Sequence, residues 1–101
     1  MLKITVLYGH PTDAKAFEKY YAKTHSEKVN KVPGIAKHEY TKFLPNPDGT
    51  AAAWYRMAEL YFTSPEILQQ TMQSEEGKVM AADLPNFATG GVTIITGIVE
   101  N

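Results

Sequence analysis

Cysteine is absent from the 101-residue chain. That excludes disulfides, thiolate nucleophiles and Cys-based zinc sites, and it fits a reducing compartment. No apolar run approaches the roughly 18 residues that a bilayer-spanning helix needs, so no membrane association is expected. The N-terminus enters a strand pattern at once, without the basic segment, apolar stretch and cleavage site of a secretory leader; the expectation is a cytoplasmic protein. An excess of one charge is lacking too. Ten Lys and Arg stand against eleven Asp and Glu, a net charge of −1. The only like-charge row, Lys15, Lys19 and Lys23, reads as the solvated face of a helix. A nucleic-acid footprint needs a denser basic patch, so nucleic acid is excluded as a partner. Low-complexity stretches and linkers are missing as well, and residues 1–101 read as one small domain.

What is present is a regular succession of elements. Leu2 to Tyr8 alternates Leu2, Ile4, Val6 and Tyr8 against Lys3, Thr5 and Leu7, the pattern of a half-buried strand. Gly9-His10-Pro11-Thr12 is turn chemistry, and Thr12 or Asp13 caps a helix running to Val32-Pro33-Gly34. At about 100° per residue, Ala14, Phe17, Tyr21, Thr24, Lys28 and Val32 share the side predicted to be buried. Lys15, Lys19, Lys23 and Ser26 lie opposite, with Tyr20 and His25 at the flanks. A strand is predicted over Ile35–Phe43, then a turn at Pro45-Asn46-Pro47-Asp48-Gly49. The next strand, Ala53–Phe62, has Trp54, Arg56, Ala58, Leu60 and Phe62 on one face. Ser64-Pro65-Glu66 starts a second helix, which Gly77 is predicted to end in the left-handed conformation. A shorter helical segment follows from Lys78 to Ala82 or Asp83, and Val92–Val99 is the last strand.

Strand, helix, strand, strand, helix, strand is the α+β, ferredoxin-like βαββαβ order, with a four-stranded antiparallel sheet and both helices on one face. The strands carry apolar groups on both faces, and two helices cover only one. The remedy predicted is a two-fold homodimer with the open sheets facing each other. Such a pair encloses a cavity for a small hydrophobic molecule, reached by some of Tyr8, His38, Tyr40, Trp54, Arg56 and Tyr61. Parity alone leaves open which strand faces look inward.

Several short motifs together resemble the EthD family of the dimeric α/β-barrel superfamily. They are Val6-Leu7-Tyr8, Ala16-Phe17-Glu18-Lys19-Tyr20-Tyr21 with the following Thr24-His25, Val32-Pro33-Gly34-Ile35, and Ala58-Glu59-Leu60-Tyr61-Phe62-Thr63-Ser64. The resemblance covers nearly the whole chain. It implies a ferredoxin-like protomer, a dimer whose sheets form a barrel, and a cleft for a small hydrophobic or aromatic compound. It further implies a link to oxidoreductase-type degradation of ethers such as ethyl tert-butyl ether. Relatives in the superfamily include cofactor-free quinol monooxygenases, isomerases, polyketide cyclases and haem-degrading enzymes, so the fold does not choose a reaction. Two kinds of function follow as expectations. One is an enzyme working without an organic cofactor or metal; the other is a non-catalytic binding dimer serving a separate oxygenase.

The candidate residues follow from their chemistry. His25 is the candidate general acid or base; the alternative is a helix-end histidine stabilised by the dipole. His38 and Tyr40 share a strand face, where an imidazole and a phenol suit a polarised carbonyl or phenol, or sit on a solvated edge. Arg56 would bind a carboxylate or enolate, unless an acid already pairs it. Tyr8, Trp54 and Tyr61 are candidate substrate walls, or else core and interface aromatics. His10 reads as turn-stabilising, Glu59 calls for a partner such as Lys3 or Lys28, and Asp83 reads as a local cap. The three histidines are too scattered for a metal motif. A haem-binding role would need His25 or His38 as axial ligand.

Overall fold

A computed structural model describes residues 1–100. Four strands, β1 (Leu2–Tyr8), β2 (Lys37–Lys42), β3 (Arg56–Phe62) and β4 (Val92–Ile98), form one sheet in the order β2-β3-β1-β4. Every neighbouring pair is antiparallel. The first helix lies between β1 and β2 and has three segments: α1 (Ala14–Tyr20), a π-helical turn (Tyr21–His25) and α2 (Ser26–Asn30). Between β3 and β4 come α3 (Pro65–Gln73), α4 (Glu75–Ala82) and a single 3₁₀ turn at Leu84–Asn86. This is the ferredoxin-like arrangement that the element order predicts.

Local chemistry explains the boundaries. The Asp13 side chain accepts from the Ala16 N–H at 3.1 Å, and Ser64 Oγ accepts from the Ile67 N–H at 3.2 Å ahead of Pro65. Gly34 takes a φ of 86° after Pro33, a conformation open to glycine at little cost. β2 and β3 are shorter than their apolar patterns, although the Phe43 N–H still donates to the Tyr55 carbonyl at 3.1 Å. Gly77 does not end a helix. Ser74, in extended conformation, separates α3 from α4, and its Oγ accepts from the Gly77 N–H at 3.0 Å. Gly77 thus sits in the first turn of α4, where a Cβ would collide with the Thr71 carbonyl oxygen of α3. Close helix packing, not a left-handed cap, requires this glycine.

Register decides which side chains meet. Opposite Tyr8, Val6, Ile4 and Leu2 of β1 stand Arg56, Ala58, Leu60 and Phe62 of β3. Beyond β3, Tyr40 faces Ala58 and His38 faces Leu60. All of these lie on one face of the sheet. The helices cover its centre, burying Ile4, Val6, Tyr8, Ala58, Leu60 and Phe62 against Phe17, Tyr21, Val29, Met80 and Phe87. Aromatic rings dominate the contact: Tyr8 meets Phe17 and Tyr21 edge-on, each at 5.5 Å between centroids.

The opposite face is uncovered and mixed in character. Lys3 and Glu59 pair at 2.5 Å, which supplies the partner Glu59 needs, and the Tyr61 hydroxyl donates to Glu39 at 2.5 Å. Leu7, Met57 and Ile95 provide its apolar part. Along the edge strand β4, Ile95 projects from this face and is 52% exposed.

Candidate active site

The π turn sets the site. In an α-helix an N–H donates to the carbonyl four residues back; here the Ser26 N–H donates to the Tyr21 carbonyl, five back. Ser26 Oγ also donates to the Ala22 carbonyl, at 2.6 Å, within this widened turn. The extra residue per turn shifts the helix phase. Thr24, expected inside, is exposed, whereas His25, expected at the flank, is turned inward and only 5% exposed. Its ring stacks on Tyr21 at 5.9 Å and 15°, and packs against Phe87 at 4.6 Å.

Behind His25 lies Asp83, just past the end of α4 and completely enclosed. Asp83 Oδ2 accepts from His25 Nδ1 at 2.8 Å. Its Oδ1 accepts from the Tyr20 hydroxyl at 2.6 Å, Lys28 Nζ at 2.7 Å and Asn86 Nδ2 at 2.9 Å. Burial pushes this carboxyl up, but the donors from Lys28, Tyr20, Asn86 and His25 outweigh it and hold Asp83 well below the usual carboxylate range. An ionised carboxylate only accepts, so it fixes the proton of neutral His25 on Nδ1 and leaves the Nε2 lone pair free. Burial, with some help from the Lys28 charge, outweighs Asp83 and lowers the His25 pKa below its ordinary value. The imidazole is therefore neutral near pH 7. Among the described residues, Nε2 has no hydrogen-bond partner.

His25 lines a narrow cleft between the sheet and the helices, a cavity of about 70 Å³. Ile4, Val6, Ala58 and Leu60 form its floor; Val29, Met72, Met80 and Leu84 form its walls. Tyr8, Tyr21 and Tyr40 add the hydroxyls. A second hollow of about 220 Å³, lined by Arg56 as well, shares Tyr21, His25, Val29 and Tyr40 with the first. An apolar cleft with a few convergent polar groups is the usual form of a small-molecule site. This cleft lies inside one protomer, on the helix side of its own sheet, and is distinct from the cavity expected between facing sheets.

The predicted residues divide accordingly. Tyr8 and Tyr40 belong to the cleft with His25. Tyr8 is part of the core wall, and Tyr40, 48% exposed on the edge strand, meets Tyr21 edge-on at 6.1 Å. His38 stacks on Tyr40 at 6.1 Å but is exposed and lines neither hollow. Arg56 is not free for a substrate anion: its Nε and Nη2 grip Glu18 at 2.9 and 2.6 Å, and its guanidinium lies 5.1 Å over the Tyr21 ring. Trp54 precedes β3 and lines neither hollow. Tyr61 is on the opposite sheet face, where its bond to Glu39 pushes its pKa up to about 12. His10 bonds the Ala52 carbonyl at 2.6 Å, the turn-stabilising role its position suggests. No group of three or more potential metal ligands occurs among the described residues.

Two functional residues escape sequence reasoning. Asp83 resembles a local cap, and Tyr21 an ordinary buried-stripe aromatic. The Tyr21 hydroxyl is nevertheless buried without a hydrogen-bond partner, at a cost of about 1–3 kcal/mol for such a group. Burial, the largest cause in both cases, raises the pKa of Tyr8 and of Tyr21, so both phenols stay protonated.

Residues 9–91 match the family model of the EthD domain. The chain belongs to the EthD family. A relative from Rhodococcus erythropolis, described as an uncharacterized 11.0 kDa protein in the thcB-thcC intergenic region, is 37% identical over 95 residues, covering 94% of this chain and 91% of that one. The crystal structure of an EthD family protein from Bacillus halodurans superposes with a TM-score of 0.91 at 34% identity, covering 99% of each chain. A dimeric protein of ferredoxin-like fold from Bacteroides fragilis shares the fold alone. It is 14% identical, with a TM-score of 0.68 over 97% of this chain and 95% of that one. The EthD match spans His25, Tyr21, Tyr40 and Asp83.

Proposed function

We propose that this EthD-family protein is a proton-transfer enzyme for a small hydrophobic molecule, with His25 as general base and Asp83 as its positioning residue. The buried His25–Asp83 pair carries this reading: Asp83 fixes the tautomer and leaves Nε2 free at the wall of an apolar cleft. The charge on the imidazolium formed when His25 accepts a proton is stabilised by the adjacent carboxylate, itself held ionised by Lys28, Tyr20 and Asn86. Deprotonation is also the opening step of cofactor-free oxygenation of an acidic phenol or enol, which the same base would serve, whereas a simple ether offers no proton acidic enough for it. The working unit in this reading is a homodimer formed through the open sheet face. In support stand the exposed Ile95 on that face and the dimeric state ascribed to the Bacteroides relative.

The test is hydrogen–deuterium exchange into a panel of hydrophobic carbon and phenol acids in D₂O, followed by NMR with wild type and His25→Gln. The expected result is protein-accelerated exchange into one compound class, lost in His25→Gln. Binding without acceleration in wild type would instead favour the accessory role beside a separate oxygenase.

A further inference from the structure

Tyr21 Oη is the only buried side-chain polar atom without a partner among the described residues. Natural proteins leave few such atoms unmet, and each asks for an explanation. The Tyr8 phenol lies beside Tyr21 without a hydrogen bond of good geometry between them, and the charged neighbours are already engaged. Arg56 holds Glu18, Tyr20 and Lys28 hold Asp83, and His25 spends Nδ1 on the same carboxylate. Tyr21 lies one π turn before His25, stacked on it, and both side chains line both hollows.

We infer that the Tyr21 hydroxyl is the hydrogen-bond donor for a substrate oxygen, and that the substrate is a small hydrophobic carbonyl compound. The inference rests on the reading of His25 as base and supplies its electrophilic partner. A protonated phenol donates, which suits a carbonyl oxygen. The one cation lining either hollow, Arg56, is neutralised by Glu18, so the cleft favours a neutral carbonyl over a carboxylate. In the reaction, His25 Nε2 takes a proton from the carbon beside the carbonyl. The C–H electron pair becomes the new C=C bond, and the C=O π pair moves onto oxygen. The enolate oxygen then accepts the Tyr21 hydrogen bond, which strengthens as charge develops. Return of the proton from His25, to the same carbon or to a conjugated one, completes exchange or isomerisation. No electrons are gained or lost overall.

The probe is 2-tetralone, with its hydrocarbon counterpart tetralin as the control, titrated into wild type and Tyr21→Phe. Loss of a donor to a bound carbonyl weakens 2-tetralone binding by about tenfold while leaving tetralin unchanged, a difference of about 1.4 kcal/mol. Independently of the variant, the carbonyl stretch of 2-tetralone bound to wild type falls to lower wavenumber than in an aprotic solvent, and it returns in Tyr21→Phe. Equal loss for both probes, no loss for either, failure of wild type to bind 2-tetralone, or an unshifted carbonyl stretch overturns the assignment. Deuterium exchange at the carbon beside the carbonyl separates the two readings. Exchange undiminished in His25→Gln removes the base, whereas the affinity and infrared results decide Tyr21.

Discussion

His25 Nδ1 and Asp83 Oδ2 are 2.8 Å apart, between residues separated by 58 positions in the chain. The pair ties the π turn of the first helix to the end of α4 and couples the stability of the fold to the protonation of the site.

Asp83→Ala and Asp83→Asn should therefore differ in kind. Alanine strips a buried acceptor from four donors, and a buried polar group left unmet costs about 1–3 kcal/mol. The lower end applies because the Lys28 ammonium, part-exposed, can turn to solvent. Asparagine preserves the shape and retains one acceptor oxygen but no charge. Its expected effect is a smaller loss of stability in urea unfolding, with the rate of His25-dependent proton exchange reduced about 10²-fold or more, as when a general base is lost. A positioning role also predicts a displaced pH–rate profile in Asp83→Asn, which simple loosening of the fold would not produce.

The pH dependence has a definite sign. The folded pKa of His25 is depressed below its ordinary 6.5, mainly by burial. As pH falls through that ordinary value the unfolded chain takes up the proton first, so stability is full above it and is lost as pH falls through the folded pKa. Asp83 adds a second loss at lower pH, because its folded pKa lies below the ordinary 3.8. Activity needs neutral His25 and should rise with pH through a midpoint below 6.5. Urea midpoints between pH 7 and 5 should fall less steeply in His25→Gln than in wild type; parallel slopes would remove His25 from the linkage.

Much of the fold was legible because its signals are local. The period-two pattern of Ile4, Val6 and Tyr8 names the buried face of β1, and Ser64-Pro65 marks the start of α3. The first helix misleads because a 100° step assumes α geometry, and the π turn breaks the phase after Tyr20. The four-residue spacing of Tyr21, His25 and Val29 is the trace it leaves. Asp83 was not legible at all, since nothing in Asp83-Leu84-Pro85-Asn86 points to a histidine 58 residues earlier. Arg56 was legible as an arginine that an acid could pair, but not which acid, since Glu18 lies 38 residues away.

Two neighbouring tyrosines make opposite predictions. Tyr20→Phe removes a hydroxyl that donates to the Asp83 carboxylate, and hydrogen bonds to charged groups contribute about 1.5–3 kcal/mol. Tyr21→Phe removes a hydroxyl with no partner, so thermal unfolding should show it neutral or slightly stabilised. A marked loss of stability in Tyr21→Phe would mean that the hydroxyl has a structural partner after all.

Gly77→Ala sets two effects against each other. Helix propensity favours alanine by about 1 kcal/mol inside a helix. The added Cβ, however, meets backbone rather than a yielding side chain, the Thr71 carbonyl oxygen of α3. Overpacking of this kind costs about 1–3 kcal/mol, so net destabilisation is expected in urea unfolding. An increase in stability would show that α4 can move away from α3 at little cost.

Ile95 tests the proposed homodimer. It lies on the uncovered sheet face across β1 from Glu59, both paired with Thr5, and is 52% exposed in the protomer. A charge there costs the isolated protomer little, because surface substitutions usually stay within about 0.5 kcal/mol. In a dimer joined face to face, the same charge would be buried without a partner, which is far more expensive. Ile95→Lys should therefore sediment as a monomer at concentrations where wild type is dimeric, with unchanged secondary structure. Leu44, 80% exposed in the loop after β2 and away from that face, serves as the control. If Leu44→Lys dissociates the dimer and Ile95→Lys does not, the contact runs through the loop instead of the sheet. The cleft of each protomer, lying on the helix side, would then be independent of the sheet face altogether.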